Sequence, residues 1–151
     1  MTPTTIAPII VLDTNVCLDL FVFHDPRWTL LLQALKDGTV RAVTRADCRK
    51  EWSIVLTYPQ LPLDHTTRLR SEAEFDALIE EVPQSQPPGA AQRLPICSDP
   101  DDQKFLELAR DSGAQVLITK DKALLKLAKK TTQAGLFAIM LPESWIRTQG
   151  M

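Results

Sequence analysis

Short apolar runs alternate with helical patterns along this sequence, and that alternation limits the folds open to the chain. The runs are rich in β-branched and other aliphatic residues, which is typical of strands buried on both faces. Strands that alternate with helices form a mainly parallel sheet with helices on either side. We therefore expect an α/β fold, built as a three-layer α/β/α sandwich.

The expected elements follow from these runs and from residues that begin and end helices. Aspartate followed by proline, at 25–26 and 99–100, is typical of a helix start, and Gly38 and Gly113 are typical of helix ends. A Thr44–Asp47 capping box would open a further helix. The predicted strands are 6–12, 40–44, 115–119 and 136–141, with a short strand at 96–97. The other predicted helices are 16–23, about 66–82 and 122–130, and a short turn begins at Pro142.

Length and composition fit a single globular domain over residues 1–151, with a core from about 6 to 146. Hydrophobic residues make up 44% of the chain and charged residues 24%. The proline-rich segment 83–95 is expected to be a loop inside this domain, because neither half alone could bury a full core. No apolar run approaches the roughly 20 residues that cross a bilayer, and 1–8 lacks a basic leader region. Three cysteines without metal-type spacing fit free thiols in a reducing cytoplasm.

The net charge of −2 argues against a protein that coats nucleic acid through bulk electrostatics. A cation-binding nuclease is still compatible with this value, because its site must itself be acidic. Two basic clusters could hold phosphates or could equally be solvated helix faces. They are Lys120, Lys122, Lys126, Lys129 and Lys130 in one stretch, and Arg41, Arg45, Arg49 and Lys50 in another.

Acidic residues follow several of the predicted strands. Asp13 comes directly after the first strand, Asp121 lies just beyond strand 115–119, and Asp99 and Asp102 follow the short strand at 96–97. Ligands of open α/β sheets bind beyond the carboxyl ends of the strands. Clustered carboxylates are the ligands that Mg²⁺ and Mn²⁺ prefer, and without a cation they would repel one another. This placement predicts a metal site.

Each acid also has a simpler explanation. Asp99 and Asp121 could cap helices, Asp102 could interact with a helix dipole, and Glu51 could be a solvated helix residue. Asp13 is the hardest to explain in this way, because a carboxylate at the end of a strand buried on both faces is costly unless it is paired or liganded.

The ordered set of motifs resembles the PIN-domain family, and most of all the branch that includes toxins of toxin–antitoxin pairs. The resemblance covers about 9–145. It is carried by Ile9-Ile10-Val11-Leu12-Asp13-Thr14-Asn15, by Glu51, by the segment from Asp99-Pro100-Asp101-Asp102 to Ala109, and by Val116-Leu117-Ile118-Thr119-Lys120-Asp121. It implies that Asp13, Glu51, Asp102 and Asp121 bind metal, that Asn15 and Thr119 support the site, and that Asp99 is a candidate further ligand. Many relatives have Gly or Arg where this chain has Lys120.

The resemblance also implies an activity. One or two Mg²⁺ or Mn²⁺ ions would activate water for attack on a phosphodiester, with single-stranded RNA as the substrate and 5′-phosphate products. Lys120 and Lys122 are candidates for phosphate contacts. Toxin-type relatives are often homodimers that a small antitoxin protein neutralises, so both kinds of partner are expected by analogy, and no membrane.

Other functional classes fit the sequence less well. Only His24 and His65 are available for metal-free cleavage by a histidine pair, and the chain has no nucleotide-binding phosphate loop or hydrolase serine motif. A phosphoacceptor receiver domain would need a second acid beside Asp13 and an aspartate where Thr44 ends the second strand. A catalytically inactive PIN-like module that binds RNA or protein is the main alternative, and convergence of the acids would argue against it.

Overall fold

The computed structural model describes residues 7–83 and 93–149, which form a five-stranded sheet with helices on both faces. The strands are β1 (Ile9–Leu12), β2 (Arg41–Thr44), β3 (Ile79–Glu81), β4 (Val116–Ile118) and β5 (Ala138–Met140). Their order is β3-β2-β1-β4-β5, and every neighbouring pair is parallel. The expected α/β/α sandwich around a parallel sheet is confirmed.

Helices lie between successive strands, and one more helix follows the last strand. They are α1 (Thr14–Phe21), α2 (Thr29–Asp37), α3 (Ala46–Val55), α4 (His65–Leu78), α5 (Gln103–Ser112), α6 (Lys122–Leu125), α7 (Ala128–Gln133) and α8 (Pro142–Gln149). Short 3₁₀ turns, Pro26–Trp28 and Pro100–Asp102, precede α2 and α5. Gly38 and Gly113 end α2 and α5 with positive φ angles of 79° and 71°, which glycine adopts without strain.

Two hydrophobic cores lie on the two faces of the sheet. Ile10 and Leu12 point into one core, which also contains Trp52 and Phe75, whereas Val11 points into the other. This division follows from the two-residue period of a strand. In the first core Trp52 stacks on Phe75 with ring centroids 5.2 Å apart. Because β1 is covered on both faces, the residue that follows it is also placed in a buried environment.

The structure corrects several predicted boundaries. The predicted helix 66–82 ends at Leu78, and its last part is the edge strand β3, paired with β2. Residues 96–97 do not form the predicted short strand, and the predicted helix 122–130 is divided into α6 and α7. Ile6 and residues 84–92 of the predicted loop lie outside the described residues.

The predicted Thr44–Asp47 capping box is wrong. Thr44 is the last residue of β2, and Arg45 takes the N-cap position of α3 without a side-chain cap. Asp47 instead binds the Arg45 guanidinium through both carboxylate oxygens, at 2.9 and 2.8 Å. Asp47 therefore pairs with a guanidinium group, and the Thr44 hydroxyl does not cap α3.

The three cysteines, Cys17, Cys48 and Cys97, are buried free thiols, as the sequence predicted. Among the helices formed by 7–83 and 93–149, none is long and apolar enough to cross a bilayer.

Candidate metal centre

The sheet topology creates a crevice between β1 and β4. The chain builds outward from β1 through β2 to β3, and then returns to the other side of β1 to form β4 and β5. Helices that follow β1 and β4 therefore diverge at this point, and in such sheets ligands bind beyond the carboxyl ends of the strands. The backbone N–H of Asp13 donates to the carbonyl of Ile118 at 3.0 Å, which holds the two strand ends side by side.

Asp13 lies at the centre of this crevice and caps α1. Its Oδ1 accepts a hydrogen bond from the Thr14 backbone N–H at 2.7 Å. Its Oδ2 accepts from the Thr119 hydroxyl at 2.6 Å and from the Asn15 amide at 3.3 Å. The residue is only 4% exposed, and burial raises the pKa of Asp13 to about 6 in spite of these donors.

Thr119 connects the acids that follow β1 and β4. It is fully buried, and its hydroxyl, which donates to Asp13, also accepts the backbone N–H of Asp121 at 2.9 Å. Asp121 in turn caps α6, since its Oδ1 accepts the N–H of Ala123 at 2.8 Å. Asn15 adds a second link, because its side-chain oxygen accepts the N–H of Lys120 at 3.3 Å. The two polar residues expected to support the site thus orient its acids.

Asp102 reaches the same crevice from the 3₁₀ turn before α5. Asp13, Asp102 and Asp121 each offer a carboxylate oxygen, and these three oxygens lie within 4.8 Å of one another. Asp102 is 7% exposed, and its buried Oδ2 has no hydrogen-bond partner among the described residues. Burial is the main cause of the raised pKa of Asp102, followed by a hydrogen bond shared with Asp121 and the negative charges of Asp13, Asp121 and Asp99.

This arrangement is suited to a divalent cation. Two adjacent carboxyl groups can bond directly only if one of them keeps a proton, and this hydrogen bond adds to the effect of burial in raising the pKa of Asp102. A cation would satisfy the same oxygens with all three acids ionised, including the Oδ2 atom that lacks a donor. Oxygen ligands from carboxylates, with water completing the shell, match the coordination of Mg²⁺ and Mn²⁺.

Glu51 and Asp99 lie near the centre but outside this group of three. Glu51, on α3, accepts hydrogen bonds from the Thr14 hydroxyl and from Lys104 Nζ, the latter at 2.6 Å. Asp99 caps the 3₁₀ turn, since its Oδ1 accepts the N–H of Asp101 at 3.0 Å. Both acids still act on the trio through charge, because Glu51 raises the pKa of Asp13 and Asp99 raises that of Asp102.

The lysines proposed for phosphate contacts occupy different environments. Lys120 Nζ forms an ion pair with Asp19 Oδ2 at 2.7 Å, and the same oxygen accepts the Trp28 indole N–H at 3.1 Å. Lys122 is exposed beside Asp121. The arginines of the other basic cluster are held in pairs within the protein: Arg41 with Glu80, Arg45 with Asp47 and Glu107, and Arg49 with Glu72 and Asp76.

Sequence reasoning missed three residues that shape the centre, namely Thr14, Asp19 and Lys104. Asp19 could have been identified from the sequence as a residue that needs a partner, because it is the only acid in the otherwise apolar stretch 16–23. Nothing in the sequence around Lys104 indicated its role, since its partner Glu51 lies 53 residues away.

Comparison with known families agrees with this geometry. A family model described as the PIN domain matches residues 9–123, which is more than half of the chain and includes all of the acids discussed above. No curated protein matched the sequence. The chain belongs to the PIN-domain family. PIN domains are generally metal-dependent nucleases, and here the acidic cluster lies at the position where the parallel sheet forms its crevice.

Proposed function

We propose that this protein is a divalent-metal-dependent endoribonuclease that cleaves single-stranded RNA. The observation that carries the proposal is the convergence of Asp13, Asp102 and Asp121, which come from three separate stretches of the chain. Three buried or half-buried acids at one point would destabilise a protein that had no use for them. Membership of the PIN-domain family supplies the nuclease chemistry that such a centre would perform.

In this proposal Asp13, Asp102 and Asp121 hold Mg²⁺ or Mn²⁺, with Glu51 as the fourth acid of the site. Asp99, whose charge acts on Asp102, stays a candidate further ligand. A bound divalent cation supplies an activated water and stabilises negative charge on the phosphate and the leaving oxygen.

The protein's own contribution is to fix the ligands in place. Three donors hold Asp13 in one orientation, and Thr119 fixes the loop that presents Asp121. Such outer contacts determine how well a ligand set fits its metal. Lys122, which is exposed, is the first candidate for contact with a phosphate of the RNA backbone, and Lys120, which is paired with Asp19, is the second.

The test is cleavage of a single-stranded RNA by the purified full-length chain with Mg²⁺ or Mn²⁺ and with a chelator. Wild type is compared with Asp13→Asn and Asp102→Asn, which keep the side-chain shape but remove the charge, and with Lys36→Gln, at an exposed position of α2 outside both basic clusters, as a surface control. We expect metal-dependent cleavage with 5′-phosphate products, lost in both aspartate variants and kept in the control. Cleavage that survives both substitutions would disprove the assignment. Binding of metal and RNA without cleavage would identify an inactive PIN-like module instead.

The resemblance of the sequence to the toxin branch of the family suggests a biological setting. We propose that the chain, as a single domain over 1–151, acts in the cytoplasm as the toxin of a toxin–antitoxin pair, forms a homodimer and is neutralised by a small antitoxin protein. Expression of the wild type in a bacterial host should arrest growth, and Asp102→Asn should relieve the arrest. Normal growth with active, accumulated enzyme would indicate a role in ordinary RNA processing.

A further inference from the structure

Among the described acids considered as metal ligands, Glu51 is the one that forms an ion pair with a lysine, and each of its carboxylate oxygens accepts a hydrogen bond. Oε2 accepts the hydroxyl of Thr14, and Oε1 accepts Lys104 Nζ at 2.6 Å. Thr14 also donates its backbone N–H to Asp13, so one residue bridges the two acids. Glu51 is therefore adjacent to the metal centre, but its charge is compensated without a metal. Asp102, with an unpartnered buried oxygen, presents the opposite case.

The cation that compensates Glu51 is built into the fold. Lys104 lies in the first turn of α5, two residues after Asp102, and its ammonium also donates to the backbone carbonyl of Asp101. Its side chain is only 17% exposed, and that of Glu51 is 28% exposed. The ammonium group is thus held between the segment that carries Asp102 and the helix that carries Glu51.

A second ion pair fixes the same two helices. Arg45, at the N-cap of α3, donates to Glu107 of α5 at 2.9 Å, and the Arg45 side chain is 5% exposed. Glu107 is one turn beyond Lys104 on α5. Lys104 pairs with the anion Glu51 of α3, and Glu107 pairs with the cation Arg45 at the start of the same helix. Crossed pairs of this kind oppose sliding of one helix along the other. They keep Lys104 aligned with Glu51.

We infer that Lys104 takes the place of a second metal ion, so that the protein binds one divalent cation per chain, at Asp13, Asp102 and Asp121. The inference rests on the proposed function, because it assumes that this trio binds a metal. Two-ion nuclease centres hold their ions about 3.5–4 Å apart and need an acid for each. Glu51 and Asp99 are the acids beside the trio, and because Asp99 Oδ1 already caps the 3₁₀ turn, Glu51 is the better placed acid for a second ion. A cation approaching Glu51 would have to displace an ammonium group of like charge that is already hydrogen bonded.

The inference is tested by counting bound Mn²⁺ per chain, using the electron paramagnetic resonance signal of free Mn²⁺ during titration of purified full-length protein. We expect one ion in the wild type and two in Lys104→Gln, which removes the charge but keeps the length of the side chain approximately. Lys129→Gln, the same change at an exposed lysine of α7, should stay at one ion. Lys104→Gln combined with Glu51→Gln should return to one.

The outcomes separate the two proposals. No bound Mn²⁺ in the wild type would reject the metal centre itself and the inference with it. Two ions in the wild type, or one in Lys104→Gln, would overturn the inference and leave the proposed nuclease intact. If circular dichroism shows that Lys104→Gln does not fold, Glu51→Gln alone decides the matter. It should keep one ion, and loss of that ion would show that Glu51 is its ligand.

Discussion

Thr119 shows how much of the centre depends on a single hydroxyl group. The hydroxyl donates to the Asp13 carboxylate and accepts the backbone N–H of Asp121. One group therefore acts as donor and as acceptor between two acids whose charges repel each other. The residue has no exposed surface, and no other side chain is described as binding both acids. Its role is to set the distance between two of the proposed ligands.

Thr119→Val should separate this role from simple packing, because valine has nearly the same shape but cannot form either hydrogen bond. We expect Mn²⁺ affinity to fall roughly 10–100-fold, as is usual when contacts behind a metal ligand are lost. The free energy of unfolding should fall by about 1–3 kcal/mol, since a buried N–H and a buried carboxylate lose a partner. Mn²⁺ titration and urea unfolding measure the two effects. Thr132→Val, at an exposed position of α7, is the control, and unchanged Mn²⁺ affinity in Thr119→Val would contradict the assigned role.

At the level of single residues, the sequence pointed to Asp13, Asp102 and Asp121, which converge in the structure, but not to the partners of Glu51. Asp13 could be recognised because it ends a strand with no polar position, where an unpaired carboxylate is costly. The hydrogen bond from Thr14 to Glu51 and the pairing of Glu51 with Lys104 join residues 37 and 53 positions apart. Such pairs depend on how α3 and α5 meet across the sheet, which local patterns do not specify.

The elements show the same division between local and long-range information. Leu78, Ile79 and Val82 fit helical spacing as well as they fit a strand, so β3 was predicted as the end of a helix. Its strand conformation comes from pairing with β2, where Ile79 lies opposite Ala42 and Glu81 opposite Thr44. By contrast, β1, β2, β4 and β5 were predictable because each is a distinct apolar run between clear helix starts.

An ion pair between Asp19 and Lys120 connects α1 to the loop after β4. The charge of Lys120 is therefore already compensated within the protein. Asp19, on α1, has a side chain that is only 11% exposed, and it accepts from Lys120 and from the indole of Trp28. The pair joins three elements around one buried carboxylate, which favours a structural role for Lys120.

Lys120→Met should therefore destabilise the fold, because Asp19 keeps only the indole as a side-chain donor. We expect a loss of about 1 kcal/mol, a modest value because the lysine side chain is 37% exposed and partly screened by water. Lys122→Met, a matched change two residues away, should stay within about 0.5 kcal/mol of the wild type. Urea unfolding of both variants provides the comparison. Equal stabilities would mean that the Asp19 pair contributes nothing measurable.

For the whole molecule, the buried acids link stability to pH. In the folded protein Asp13 has a pKa of about 6 and Asp102 also has a raised pKa, so both hold protons that the unfolded chain releases above about pH 4. The folded state then binds more protons than the unfolded state, and stability must fall as pH rises. Aspartates with lowered pKa values, such as Asp47, act in the opposite direction, but their effect fades above the ordinary aspartate pKa of about 3.9, where the unfolded chain is ionised as well.

With a chelator present, the free energy of unfolding should decrease from pH 5 through pH 6 and continue to decrease above it. Mn²⁺ should reverse this trend, because it binds the ionised acids and stabilises the folded state in proportion to its concentration. Asp102→Asn should flatten the dependence measured in chelator. Urea unfolding at pH 5, 6, 7 and 8, with and without Mn²⁺, gives the profiles. Stability that rises with pH in chelator would show that these carboxyl groups are ionised without a metal.

The pairing of β1 with β4 also determines when the centre can exist during synthesis. Asp13 leaves the ribosome early, whereas Thr119, which binds it, is made 106 residues later. A nascent chain therefore carries the first acid long before it can assemble the rest, and the complete centre must wait until residue 121 has been translated and released from the exit tunnel. Under the proposed activity, a nascent chain that has not yet reached residue 121 cannot cleave RNA at this centre.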